Sequence, residues 1–151
     1  PLISESYGKG RMQDVRYVVG LALKTAIGLA VIIIAAIYIW SDPIASIFNS
    51  EKNMELASYA REGIRLYFLG FMFAGINIIG TAALSAVEAV KWAFTASIMR
   101  GFVAILIFAF VLSALFGMTG VWLAFPAAEL VTMTLSIIGM KKSIAVSKTT
   151  G

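Results

Sequence analysis

The sequence predicts an all-α membrane protein with four transmembrane helices and both termini on the cytoplasmic side. Three observations predict it. Of 151 residues, 60% are hydrophobic and 13% charged, with mean hydropathy +0.92, whereas an ordinary globular domain is about half apolar and about a quarter charged. The apolar residues gather into four blocks that approach or reach the ~20 residues a bilayer-spanning helix needs. Lys and Arg are divided unequally between the two sets of connecting segments, as the positive-inside rule requires of a spanning chain. The same arithmetic excludes a soluble domain and a disordered chain.

The first block runs from Tyr17 to Trp40, broken by Lys24 alone among charged residues, and predicts a helix over 17–40. Ser41-Asp42-Pro43 is expected to stop it, because proline removes a helix donor and turns the preceding residue away from helical geometry. From Asn49 to Glu62 the pattern is amphipathic, with Asn or Ser placed to cap a helix that enters the second block. That block, Leu66 to Val87, carries no charge and predicts a helix over about 63–87. The third, Trp92 to Phe116, is interrupted by Arg100 and predicts a helix over 92–116. After the uncharged turn Gly117-Met118-Thr119-Gly120, the fourth block, Val121 to Met140, contains Pro126 and Glu129 and predicts a helix over 121–140. Lys141, Lys142 and Lys148 follow in a polar tail. The first block is too long for a secretory signal and has three companions.

Orientation follows from the basic residues. Lys9, Arg11, Arg16, Lys24, Lys91, Arg100, Lys141, Lys142 and Lys148 fall on one side, and Lys52, Arg61 and Arg65 on the other. This places both termini and the Ser85 to Trp92 connection in the cytoplasm. It also explains the net charge of +4 without nucleic acid, since the cations are spread around membrane exits instead of forming one patch. Lys24 and Arg100 lie inside their blocks but within two or three turns of the cytoplasmic end. Their long stems can snorkel the charge to the headgroups; the alternative is a cation facing a watery cavity and an anionic partner.

Chemistry is limited by what is missing. With neither His nor Cys, the chain offers no thiolate, no zinc or iron–sulfur ligand set and no histidine base. Tyr7-Gly8-Lys9-Gly10 lacks the GxxxxGK[ST] pattern and the strand of a phosphate loop. Trp40, Trp92 and Trp122 stand near block ends, as interfacial anchors do. No catalytic residue, metal site or cofactor is expected, and no enzymatic function.

Two helical faces remain. Gly70, Ala74, Asn77, Thr81 and Ser85 recur at spacings of four, three, four and four, forming one stripe that Glu88 continues. It reads either as a helix-packing seam or as a cavity lining. Glu129 is the more pointed signal. It falls near the bilayer midplane, where an ionised carboxylate costs about 2.5 to 3.5 kcal/mol on insertion scales. It must be paired, hydrated or protonated, and it serves either as a structural acid between helices or as the reversible proton site of a carrier. Pro126, three residues earlier, frees the carbonyl of Trp122 from its helical donor. Thr132, Ser136 and Gly139 continue the Glu129 face.

Short motifs along the chain resemble one family. Pro1-Leu2-Ile3-Ser4, followed by Tyr7-Gly8-Lys9-Gly10, is similar to the P-L-[IV]-S-x-N-Y-G-A-G signature of multidrug and toxic compound extrusion (MATE) transporters. Tyr67-Phe68-Leu69-Gly70-Phe71 with Gly75-Ile76-Asn77 resembles that family's tenth helix, and Gly120-Val121-Trp122-Leu123-Ala124-Phe125-Pro126 the start of its twelfth. The resemblance implies a twelve-helix, two-lobe fold of which residues 1–151 are the C-terminal part of the second lobe, helices nine to twelve. It would also account for a sequence that opens without Met. Where some members carry a cation-binding Asp in the tenth helix, this chain has Ala74. The family's glycine-containing turn after that helix is replaced by Ala86, Val87, Glu88, Ala89 and Trp92.

The implied function is export of organic, typically cationic, compounds by alternating access. Protons or sodium would be exchanged, with the coupling ion held mainly outside this segment. Glu129, Asn77 and Thr81 are the expected cavity-facing residues. The expected partners are the lipid bilayer, the remaining helices of the parent transporter and small organic substrates, with no nucleic acid. The expected location is a prokaryotic plasma membrane, in multi-pass form. Two other readings are a lipid-linked oligosaccharide flippase of the related superfamily and a stand-alone four-helix scaffold or assembly subunit.

Overall fold

A computed structural model describes residues 1–49 and 52–145. The chain forms α1 (Leu2–Gly8), α2 (Met12–Phe48), α3 (Met54–Ala86), α4 (Val90–Ile98), α5 (Ala104–Phe116) and α6 (Met118–Met140), with π-helical turns at Met99–Val103 and Lys141–Ala145. The first π turn joins α4 to α5 without a break. Among the described residues, four rods therefore have the length and hydropathy to cross a membrane: Met12–Phe48, Met54–Ala86, Val90–Phe116 and Met118–Ile144. Lys148 lies outside the described residues.

The helices overrun the apolar blocks, because hydropathy marks what sits in lipid while backbone hydrogen bonding continues beyond it. Pro43 does not end α2. The backbone instead leaves helical geometry at Trp40 (φ −105°, ψ 16°) and resumes to Phe48. A kink just ahead of Pro43 relieves the contact between its ring and the preceding turn, and α3 holds the far side of that kink. The Arg65 Nε donates to the Oγ of buried Ser41 at 3.0 Å, and Arg61 pairs with Asp42 at 2.5 Å. At the start of α3, the Asn53 side chain accepts from the amides of Glu55 and Leu56 at 2.9 and 3.3 Å, so the cap is an Asn but stands later than the expected segment start at Asn49, which instead ends α2.

Antiparallel packing of successive rods brings the start of α2 and the end of the fourth rod to one end of the bundle. There Val15 and Val19 of α2, Ala83, Leu84 and Val87 at the end of α3, Ala93 of α4, and Met140 and Ile144 at the end of the fourth rod form one buried cluster. Lys142 adds its ammonium over the Trp92 ring, 5.4 Å from the centroid. At the opposite end, Glu62 of α3 accepts from the Thr119 hydroxyl at 2.8 Å.

The central contact is α3 against α6, and its register is written at intervals of seven. Gly63, Gly70, Asn77 and Leu84 follow one another every seventh residue on α3, as do Trp122, Glu129 and Ser136 on α6. A seven-residue repeat keeps one seam facing its partner over several turns. Gly63 lies under the Trp122 ring. Gly70 lies under Phe125 and Pro126, and Gly80 faces Ser136 and Met140. In a bilayer, where lipid is as apolar as leucine, such close approach supplies the packing that holds helices together. Trp122, expected at the interface, is thus part of the seam, and its buried Nε1 has no partner among the described residues.

The α3–α4 turn keeps a glycine-like backbone without glycine. Glu88 has φ +59°, in the left-handed region that costs a non-glycine residue about 1–2 kcal/mol. Glu88→Gly is accordingly expected to raise stability by up to about 1 kcal/mol. Thermal unfolding in detergent checks this, and a variant less stable than the wild type would contradict it.

Candidate functional site

Glu129 sits at the meeting point of three of the four rods. Its side chain is 4% exposed and both carboxylate oxygens are engaged. Oε1 accepts from the Nε of Arg100 at 2.7 Å, and Oε2 accepts from the Nδ2 of Asn77 at 2.7 Å. The same Asn77 amide donates to the main-chain carbonyl of Glu129 at 2.8 Å, and the Ser136 hydroxyl donates to Asn77 Oδ1 at 3.0 Å. The acid expected near the midplane is therefore paired, and its carboxylate is hydrogen-bonded from two sides.

Each partner arrives for a local reason. Asn77 and Glu129 occupy equivalent steps of the two heptad series, between the Gly70–Phe125 and Gly80–Ser136 contacts. Arg100 lies in the π turn Met99–Val103, and π turns of this kind are frequent at functional sites. Ala93, Ala96 and Ala104 on the same side of that rod are buried, so the backbone comes close enough for the guanidinium to reach inward. The snorkelling expected of Arg100 does not occur, because a carboxylate lies within hydrogen-bonding distance on α6. The inward run Ala93, Ala96, Arg100, Ala104, at spacings of three, four and four, was the available signal. Lys24, by contrast, is exposed on α2.

The residues expected to face a cavity divide. Glu129 and Thr81 line a cavity of about 300 Å³, together with Ser97, Arg100, Phe125 and Ala128. Asn77 does not reach it; it is fully buried behind the carboxylate, because the heptad register turns it into the α3–α6 seam. The stripe on α3 divides similarly. Gly70, Ala74 and Asn77 are buried, Thr81 is half-buried, and Ser85 and Glu88 are exposed. Thr81 returns its hydroxyl hydrogen to the carbonyl of Asn77 at 2.8 Å, leaving its oxygen able to accept.

Arg100 and Phe125 also border a second cavity, of about 450 Å³, between α2 and α3. Its walls are apolar and aromatic, with Tyr67, Phe68 and Phe71 among them. Tyr67 stacks on Phe125 at 4.4 Å between centroids, and Phe68 on Phe71 at 4.7 Å. The site thus combines a neutral ion pair and two hydroxyls with an adjoining aromatic chamber, the composition of a small-molecule site.

The profile of the MatE family matches residues 1–111. The chain belongs to the MATE family. A solved structure, described as the inward-facing conformation of a multidrug resistance MATE family transporter of the MOP superfamily, superposes on 99% of this chain with a TM-score of 0.89 at 18% identity. At that identity the likeness shows the fold. This chain covers 35% of that transporter, so it spans about a third of its length. No curated protein sequence matches significantly. The four rods are thus part of a multi-pass MATE membrane fold. Glu129 lies beyond the stretch matched by the MATE profile, and its place in the fold rests on the structural superposition.

Proposed function

We propose that this chain forms part of the wall of the transport path in a secondary-active MATE exporter, which exchanges protons or sodium for organic, chiefly cationic, compounds. The observation that carries the reading is Glu129, a buried carboxylate bordering the cavity that Thr81, Ser97 and Arg100 share. An intramembrane acid with named partners marks an ion or substrate pathway more often than an inert position. The aromatic chamber beside it suits the flat or greasy bodies of amphipathic cations. Alternating access would then proceed by rocking of two lobes about a midplane site.

A flippase for a pyrophosphate-linked substrate calls for several free cations. Here the cation bordering the cavity, Arg100, is already paired with Glu129, and Lys24 does not line the site, which favours the exporter.

The test is drug efflux by the full-length transporter carrying Glu129→Gln. The amide keeps the shape but loses the charge, and efflux is expected to fall at least tenfold with the protein present at wild-type level. Unchanged efflux and unchanged dependence on the proton or sodium gradient would remove Glu129 from the mechanism.

A further inference from the structure

We infer that Arg100 is a tethered cation that occupies the Glu129 site between loadings and must be displaced before an external cation can bind there. The inference rests on the reading of Glu129 as part of the transport path, and it assigns Arg100 a competitive role within that path.

The two partners of Glu129 are held very differently. Asn77 is 0% exposed, bonded to both the side chain and the main chain of Glu129 and, through Oδ1, to Ser136. Moving it would strip the buried Glu129 carboxylate and the buried Ser136 hydroxyl of a partner at once. Among the described residues Arg100 makes one side-chain hydrogen bond, through Nε. Its side chain is 32% exposed, it borders both cavities, and its backbone is the π turn Met99–Val103. At the next residue, Gly101, no atom outside its own helix backbone lies within 4 Å of where a Cβ would stand. The carboxylate is therefore anchored on the Asn77 side and closed by a movable group on the cavity side.

Charge makes the consequence definite. With Arg100 in place the pair is neutral, and Glu129 presents no free anionic oxygen to an incoming cation. When Arg100 swings toward the aromatic chamber, Oε1 becomes available while Oε2 stays on Asn77. An organic monocation and the guanidinium then compete for one carboxylate. Apparent affinity is the intrinsic affinity multiplied by the fraction of time the site is open, so removing the tethered competitor tightens binding.

The experiment measures binding of tetraphenylphosphonium to the purified full-length transporter. Arg100→Gln is expected to tighten binding by about tenfold or more, as for a site open a tenth of the time or less. Arg100→Lys keeps a tethered cation and is expected to bind weakly, as the wild type does. Adding Glu129→Gln to Arg100→Gln should abolish the gain. If Arg100→Gln unfolds too readily for purification, the same comparison is made in membranes, where the probe is expected to raise its unfolding temperature more than that of the wild type. Unchanged or weaker binding by Arg100→Gln, with Glu129→Gln still abolishing binding, overturns the tethered-cation inference alone. Glu129→Gln with wild-type binding and efflux overturns the underlying reading as well.

Discussion

Asn77→Leu is expected to destabilise the bundle by about 2–3 kcal/mol. Single side-chain hydrogen bonds inside bilayers average about 0.6 kcal/mol, which would make the loss of one such bond hard to detect. Asn77 is different because it serves a carboxylate, a main-chain carbonyl and a hydroxyl together. Removal leaves the buried Glu129 with Arg100 as its one side-chain partner among the described residues. Asn77→Asp is a sharper comparison. It preserves shape but sets a second carboxylate against Glu129, and at neutral pH it is expected to cost at least as much as leucine. Thermal unfolding followed by size exclusion in detergent measures both. Either variant within about 0.5 kcal/mol of the wild type, the range of an ordinary surface change, would contradict the network described above.

Gly120→Ala is expected to cost about 3 kcal/mol or more, one of the larger effects available to a single methyl group. A Cβ at Gly120 would overlap the carbonyl carbon and oxygen of Leu112 and approach the Ser113 amide nitrogen at 2.9 Å. These are backbone atoms of α5, and no rotamer change can move them aside. The turn between α5 and α6 has little slack, since it pivots on the single residue Gly117 at φ +61°. Gly101→Ala is the matched control. Nothing lies within 4 Å of its Cβ position, so it is expected to stay near wild-type stability or to gain up to about 1 kcal/mol from helix propensity. Limited proteolysis and the fraction surviving heat distinguish the two. Equal stability of the variants would mean that the α5–α6 contact is not as close as described.

The four spans were legible because a bilayer imposes a simple rule on sequence. Backbone groups in lipid must be bonded within their own helix, so long apolar blocks can become little else. The ends of the helices were less legible. Pro43 reads as a stop, and locally it acts as one, yet Ser41 and Asp42 find Arg65 and Arg61 on α3 and the helix continues beyond a kink. The cap of α3 falls at Asn53, four residues beyond the start of the amphipathic segment, because residue type alone does not say which of several Asn and Ser side chains meets the free amides. Leu2–Gly8, a helix of seven residues, carries no hydropathy signal of its own.

At the candidate site, Glu129 stood out because a lone acid in an apolar block is costly wherever it points. Asn77 and Thr81 share one face of α3, but only the relative rotation of α3 and α6 sends Asn77 into the seam and leaves Thr81 at the cavity. Of the two readings that the sequence leaves open for Arg100, snorkelling and an anionic partner, the structure takes the second, and one helix considered alone could not choose between them. The partner of Arg100 lies on a different helix, twenty-nine residues away.

By itself, then, the sequence determined the membrane class, the four spans, the resemblance to MATE transporters and the existence of a buried acid that must find a partner. Each of these follows from the composition, order or periodicity of residues within a single segment. Only the tertiary structure decided which groups satisfy that acid and which of them can leave it. Pairing depends on the rotation and register of one helix against another, set here by glycines at seven-residue intervals and by a π turn that carries Arg100 inward. Those are relations between segments, and no segment contains them alone.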